Sequence, residues 1–103
     1  MGLLDFLFGN KTKKVQEFTS RGAVLLDVRT KEEFKAGHIK GAKHIPLDQV
    51  SGRVAEVRKW NKPVICYCRS GMRSGSAAAI LRNHGVEAMN GGGWHRLSER
   101  LLQ

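Results

Sequence analysis

Cysteine is scarce in this chain. Its 103 residues include two, Cys66 and Cys68, at spacing i, i+2. That excludes a disulfide framework, and a bridge between the two would close a very small, strained loop. Thiols of this kind suit a reducing compartment, so a cytoplasmic location is expected. Metal-ligand spacing is also missing. His38, His44, His84 and His95 are dispersed, so neither a zinc site nor a cofactor is expected. The chain has no internal repeat. Its 12 glycines fall in turns and loops without a period, which excludes collagen-like and low-complexity readings. Acidic residues are in deficit, 9 against 18 Lys+Arg, for a formal charge of +9. Anionic partners are favoured in general. Aromatic residues do not interleave the basic ones, and a nucleic-acid partner is not expected.

Long hydrophobic runs are absent too. The apolar cluster of Leu3, Leu4, Phe6, Leu7 and Phe8 is far too short to span a bilayer. It lacks the positive leader and small-residue cleavage site of a signal peptide. Phe6 stands where a myristoylation pattern requires Ser or Thr. Two readings of residues 1–12 stay open. The preferred one is a short helix, stopped near Gly9, docked on the domain and making no membrane contact. The other is a membrane-surface or partner-binding anchor backed by Lys11, Lys13 and Lys14. Residues 13–103 then form one domain with a single core, as the length and a 41% hydrophobic content allow.

Strand and helix signals alternate along that domain. Val15 to Ser20 suggests a helical turn or two. Ala23 to Val28 is a short, partly β-branched apolar run, which suits a buried strand. Thr30-Lys31-Glu32-Glu33 has the form of a capping box, so a helix is expected from Thr30 to Gly37. Ala42 to Ile45 reads as a strand stopped by Pro46. Asp48 is placed to cap a helix carrying Val50, Val54 and Val57 on one face. Asn61-Lys62-Pro63 ends it, and Val64 to Tyr67 is the third strand. Ala77, Ile80 and Leu81 mark a helix ending before Gly85. Val86 to Met89 reads as a weaker strand, Gly91-Gly92-Gly93 as a flexible turn, and Trp94, Leu97 and Leu101 as a last amphipathic helix. The pattern predicts an α/β fold: a mostly parallel four- or five-stranded sheet flanked by helices on both faces. Ligands of such sheets bind beyond the carboxyl ends of the strands.

Cys68 stands at such an end, followed by Arg69-Ser70-Gly71-Met72-Arg73 and then a helix. Helix N-termini carry unsatisfied N–H groups and partial positive charge. A tight loop there can turn successive N–H groups inward as an anion-binding nest, and Gly71 permits the backbone angles this needs. Arg69 and Arg73 add side-chain charge. A thiol in that setting has a depressed pKa and is a nucleophile without a separate base. The loop therefore points to covalent chemistry at Cys68 on a small anion. Cys66, inside the strand, is read as core; the other reading makes it a thiol that resolves a bond to Cys68.

These residues resemble a known family, the single-domain rhodaneses or sulfurtransferases. The resemblance rests on Leu25-Leu26-Asp27-Val28-Arg29, on Glu33-Phe34-Lys35-Ala36-Gly37-His38-Ile39-Lys40-Gly41-Ala42 with Ile45-Pro46, on Val64 to Ser74, and on Asn90-Gly91-Gly92. It covers roughly residues 15–103 in order. It implies that Cys68 accepts a sulfane sulfur as a persulfide, and that residues 69–73 supply the cradle. The donor would be a small anion such as thiosulfate and the acceptor a thiol or cyanide. Asp27 would be a buried carboxylate supporting the loop region, with Arg29 in the same polar network; a plain strand-end carboxylate stays equally open. Glu33 is assigned only to the capping box. His38 and His44 are taken as non-catalytic. Lys40 stands where the family commonly has proline. Phosphatase relatives place five residues between Cys and Arg; here there are four, Arg69 to Met72, which by the same resemblance suits a persulfide better than a phosphate. A second reading is a persulfide relay module acting between protein partners.

Overall fold

In the computed structural model, which describes residues 10–103, the strand Val64–Cys68 (β3) is buried at all five positions. A central strand covered on both faces has to be apolar throughout. Alternation sends Val64, Cys66 and Cys68 to one face, where they join Leu26, Val50, Val54, Val57, Ala77, Ala78 and Leu81. Ile65 and Tyr67 face the other side, with Val15, Phe18, Met89 and Leu97. Helices therefore cover both faces, as expected. Helices α3 (Leu47–Val50), α4 (Val54–Lys59) and α5 (Met72–Asn83) lie over the first, and α1 (Asn10–Ser20) and α6 (Trp94–Leu101) over the second. The apolar cluster from Leu3 to Phe8, and both readings of it, lie outside the described residues.

The remaining strands are β1 (Val24–Asp27), β2 (Lys43–His44) and β4 (Ala88–Gly93). All pairs are parallel, in the order β2-β1-β3-β4. The connections run outward in opposite directions from β1 and β3. The carboxyl ends of those two strands thus flank the switch point where open α/β sheets form their sites. Asp27 and Tyr67 are register partners there, and Cys68 is the last residue of β3.

Helix α2 (Lys31–Ala36) begins with the capping box read from the sequence: Thr30 Oγ1 accepts from the Glu33 N–H, and Glu33 accepts from the Thr30 N–H. Three other expectations need correction. Asp48 does not cap its helix. The Leu47 N–H is already bonded to Val28 O at 3.0 Å, so α3 starts at Leu47 after Pro46 and Asp48 falls in its first turn. The valine-bearing helix is two short ones joined by a 3-10 turn, Ser51–Arg53. The last strand is displaced toward the carboxyl end. The Val86 N–H bonds to Leu81 O and closes the exit of α5, while Gly91-Gly92-Gly93 is strand and not a flexible turn. The glycines permit close approach: a Cβ on Gly91 would stand 2.6 Å from Ile65 Cγ2, and one on Gly93 would stand 2.7 Å from Arg69 O. The pairing of β4 with β3 shifts register between Cys66 and Tyr67, which is how a bulge re-aims a strand near a site.

Candidate active site

β3 delivers Cys68 to the carboxyl edge of the sheet, and residues 69–71 turn the chain into α5. Gly71 makes the turn with φ +101°, in the left-handed region, and a Cβ there would stand 3.3 Å from Gly92 Cα. This conformation points the Gly71 N–H back at the sulfur, 3.0 Å from Cys68 Sγ. The Ser74 N–H approaches to 3.4 Å and the Ser74 hydroxyl to 3.2 Å. The main chain and the opening turn of α5 thus surround one sulfur with donors. Burial works against ionisation of Cys68. The Ser74 hydroxyl and the N–H groups of Ser74, Gly71 and Ser70 outweigh it and hold the thiol below its ordinary range.

Cys66 differs although it shares that face of β3. It is fully buried in the core, and burial pushes its thiol up to about 12. The charge of Arg82 offsets that only in part, so the Cys66 thiol stays protonated near neutral pH.

The structure places the other expected residues unequally. Arg69 and Ser70 are exposed at the rim, and Met72 is 82% exposed. Arg73 turns toward α2, where its two terminal nitrogens lie 2.7 and 3.0 Å from the two Glu33 oxygens. A bidentate pair of this kind is directional and specific. Glu33 consequently does more than close the capping box: it ties the start of α2 to the start of α5. Arg73, with the Thr30 N–H and hydroxyl, brings its carboxyl down to about 2. The pair therefore stays charged throughout the range in which a thiol titrates.

Asp27 is fully buried and Arg29 nearly so. Arg29 Nε lies 3.0 Å from both Asp27 oxygens and Nη2 lies 2.6 Å from Oδ2. Nη2 also donates to Gly37 O at 2.6 Å, and the guanidinium stands over the Trp94 ring at 4.7 Å. Asp27 is thus the anchor of a cation that joins β1, the exit of α2 and α6. Burial, with Asp27 beside it, keeps the Tyr67 hydroxyl protonated, and that oxygen accepts from the Ile39 N–H at 3.1 Å. Both histidines near this region are engaged with backbone: His44 Nε2 with Arg29 O at 2.7 Å, His38 Nδ1 with Phe34 O at 2.8 Å. Both rings stack on Phe34, with centroids 3.7 Å away for His38 and 4.5 Å away for His44.

A cleft of about 280 Å³ opens beside the loop, lined by Arg29, Glu33, Gly37, Arg69, Trp94 and His95. Trp94 is therefore both a wall of this cleft and a partner of the second core cluster. Among the described residues no group of three or more His, Cys, Asp or Glu side chains could hold a metal ion, and no helix is long and apolar enough to cross a membrane. Sequence reasoning missed Ser74, at the sulfur, and Asn90, behind it. Ser74 lies one position beyond the presumed cradle, and Asn90, assigned only to a glycine turn, accepts from the Ser74 hydroxyl at 2.7 Å. An asparagine inside a strand is itself a signal, because strands are depleted in it.

Known proteins resemble this chain in sequence and fold. The chain is 48% identical over 77 residues to the uncharacterized protein YqhL of Bacillus subtilis, a match spanning 73% of this chain and 60% of that protein. It is 34% identical over 83 residues to thiosulfate sulfurtransferase GlpE of Ectopseudomonas mendocina, spanning 78% of this chain and 75% of that one. It is 40% identical over 70 residues to thiosulfate sulfurtransferase PspE of Escherichia coli, spanning 66% and 67%. A solved rhodanese with anions from E. coli superposes with a TM-score of 0.65 at 36% identity, covering 71% of this chain and 88% of that one. The rhodanese-like domain model matches residues 11–98, and the chain belongs to that family.

Proposed function

We propose that the protein is a sulfurtransferase that carries a sulfane sulfur on Cys68. The observation that supports this best is a single buried sulfur facing the Gly71 and Ser74 N–H groups and the Ser74 hydroxyl at 3.0–3.4 Å. The thiolate attacks the outer sulfur of thiosulfate. A new S–S bond forms, the old one breaks, and sulfite leaves with the bonding pair. Cys68 then holds a persulfide whose outer sulfur carries the negative charge. The donors beyond Cys68, on Ser70 and Gly71, and the N-terminus of α5 stabilise that charge. An acceptor thiolate or cyanide attacks the outer sulfur, takes it, and returns Cys68 as thiolate. This is covalent catalysis in two displacements, with the logic of thiol–disulfide exchange. Arg69 at the rim attracts the anionic donor, while Arg73 and Glu33 hold the loop. Two thiols suit a cytoplasmic setting.

The thiosulfate sulfurtransferases among the relatives and the rhodanese solved with anions support a small anionic donor. A second reading, a relay between protein partners, is favoured by the exposed apolar side chain of Met72 at the edge of the loop. Intact mass separates the two. Desalted protein incubated with thiosulfate is expected to gain the mass of one sulfur atom, removable by cyanide or excess thiol. Absence of that gain in folded protein would sink the thiosulfate reading, and a gain obtained only from a persulfide-bearing protein would establish the relay.

A further inference from the structure

Ser74 is fully buried, and its hydroxyl oxygen sits between Cys68 Sγ at 3.2 Å and Asn90 Oδ1 at 2.7 Å. A hydroxyl has one proton to give. The backbone fixes which way the Asn90 amide points. One end faces the Gly92 N–H at 2.9 Å, a donor, so that end is oxygen. The other faces Gly71 O at 2.9 Å, an acceptor, so that end is nitrogen. Oδ1 therefore accepts from both Gly92 and Ser74. While Cys68 is a thiol, this arrangement is complete: S–H donates to Ser74 and Ser74 donates to Asn90. Once Cys68 is a thiolate, the sulfur has no proton to give, and the hydroxyl can donate to it only by rotating away from Asn90, which leaves Oδ1 with the Gly92 N–H alone.

We propose that Asn90 is a positioning residue that competes with the Cys68 sulfur for the Ser74 hydroxyl proton and so sets how readily Cys68 ionises. Ser74 keeps its proton throughout; the proton lost by Cys68 leaves to water. The charged groups around the sulfur are Arg73 of α5, neutralised by Glu33 of α2, the Asp27–Arg29 pair at the end of β1, and Arg69 in the loop. β3 adds Cys66 and Tyr67, both held neutral by burial, and β4 contributes no charged side chain. No other side chain on β4 can regulate the sulfur from that side. On the sulfur-transfer reading, the hydroxyl would turn to the sulfur before attack and return to Asn90 once Sγ is bonded to the incoming sulfur.

The test is the pH dependence of Cys68 alkylation by iodoacetamide, located by peptide mass. It uses no sulfur donor, so it stands apart from whether thiosulfate loads the protein. Ser74→Ala is expected to raise the midpoint and Asn90→Ala to lower it, each by about half to one pH unit, the size of one neutral hydrogen bond. In the Ser74→Ala background Asn90→Ala is expected to shift nothing, because the competition has no proton to divide. Asn90→Ala also releases Gly71 O and the Gly92 N–H, so Gly75→Ala provides a second route. Its Cβ would stand 3.1 Å from Asn90 Nδ2 and displace the amide without altering it. A smaller downward shift is expected, again only when Ser74 is present. A rise or no change in both Asn90→Ala and Gly75→Ala, or equal shifts with and without the Ser74 hydroxyl, would overturn the proposal. If Asn90→Ala does not fold, Gly75→Ala alone decides.

Discussion

Cys68→Ser is expected to abolish sulfur transfer, leaving neither the mass gain with thiosulfate nor turnover to cyanide. A serine hydroxyl in the same cradle has an oxygen far too weakly acidic to ionise near neutral pH, and the donors around it recover only a few kilocalories of that deficit. An O–S bond would also be a poor substitute for the S–S bond that an acceptor thiol cleaves. Cys66→Ala is the matched control. Its thiol lies in the same layer, but burial pushes it up to about 12, so it has almost no thiolate to offer. The expected result is retained sulfur loading with a modest loss of stability, on the order of 1 kcal/mol for a small buried side chain. Turnover assays and intact mass on both variants check this. If the folded Cys66 variant fails to load sulfur, the buried thiol has a chemical role after all.

Arg29→Ala is expected to be among the most destabilising single changes outside the apolar core. It leaves the fully buried Asp27 carboxylate without its cation, and it removes the bond to Gly37 O and the contact with the Trp94 ring. Breaking one partner of a buried pair costs about 3–5 kcal/mol. For a domain of this size that is a fall in Tm on the order of 20 °C. Removing both charges at once, as in Asp27→Leu with Arg29→Met, should recover much of the loss, because the penalty lies in the stranded charge. Thermal melts of the three proteins decide the matter. Equal losses in the single and double variants would show that the contacts of the guanidinium matter more than the charge.

What the sequence revealed and what it hid follow from the range of the interactions. β3 was legible because a short β-branched apolar run has few alternatives, and the α2 capping box because it is complete within four consecutive residues, Thr30 to Glu33. The Cys68 loop was legible because its donors are its own backbone. The Arg73–Glu33 pair was hidden: its partners are 40 positions apart, and either residue alone reads as solvated. Gly91 to Gly93 looked like a turn because glycine is poor in strands, yet the nearness of Ile65 and Arg69 admits nothing larger. Asp48 looked like a cap, but the bond from the Leu47 N–H to β1 determines where that helix begins.

The cradle separates reactivity from recognition. The groups that face the sulfur are main-chain N–H groups and the buried Ser74, whereas Arg69, Ser70 and Met72 turn their side chains outward. A peptide N–H does not depend on the side chain beside it. Substitutions at those three exposed positions can therefore change what approaches the sulfur, in charge, size or polarity, while the donors that ionise it stay in place. A scaffold built this way can exchange partners over evolutionary time, or in a library randomised at the three positions, without rebuilding its chemistry at each step.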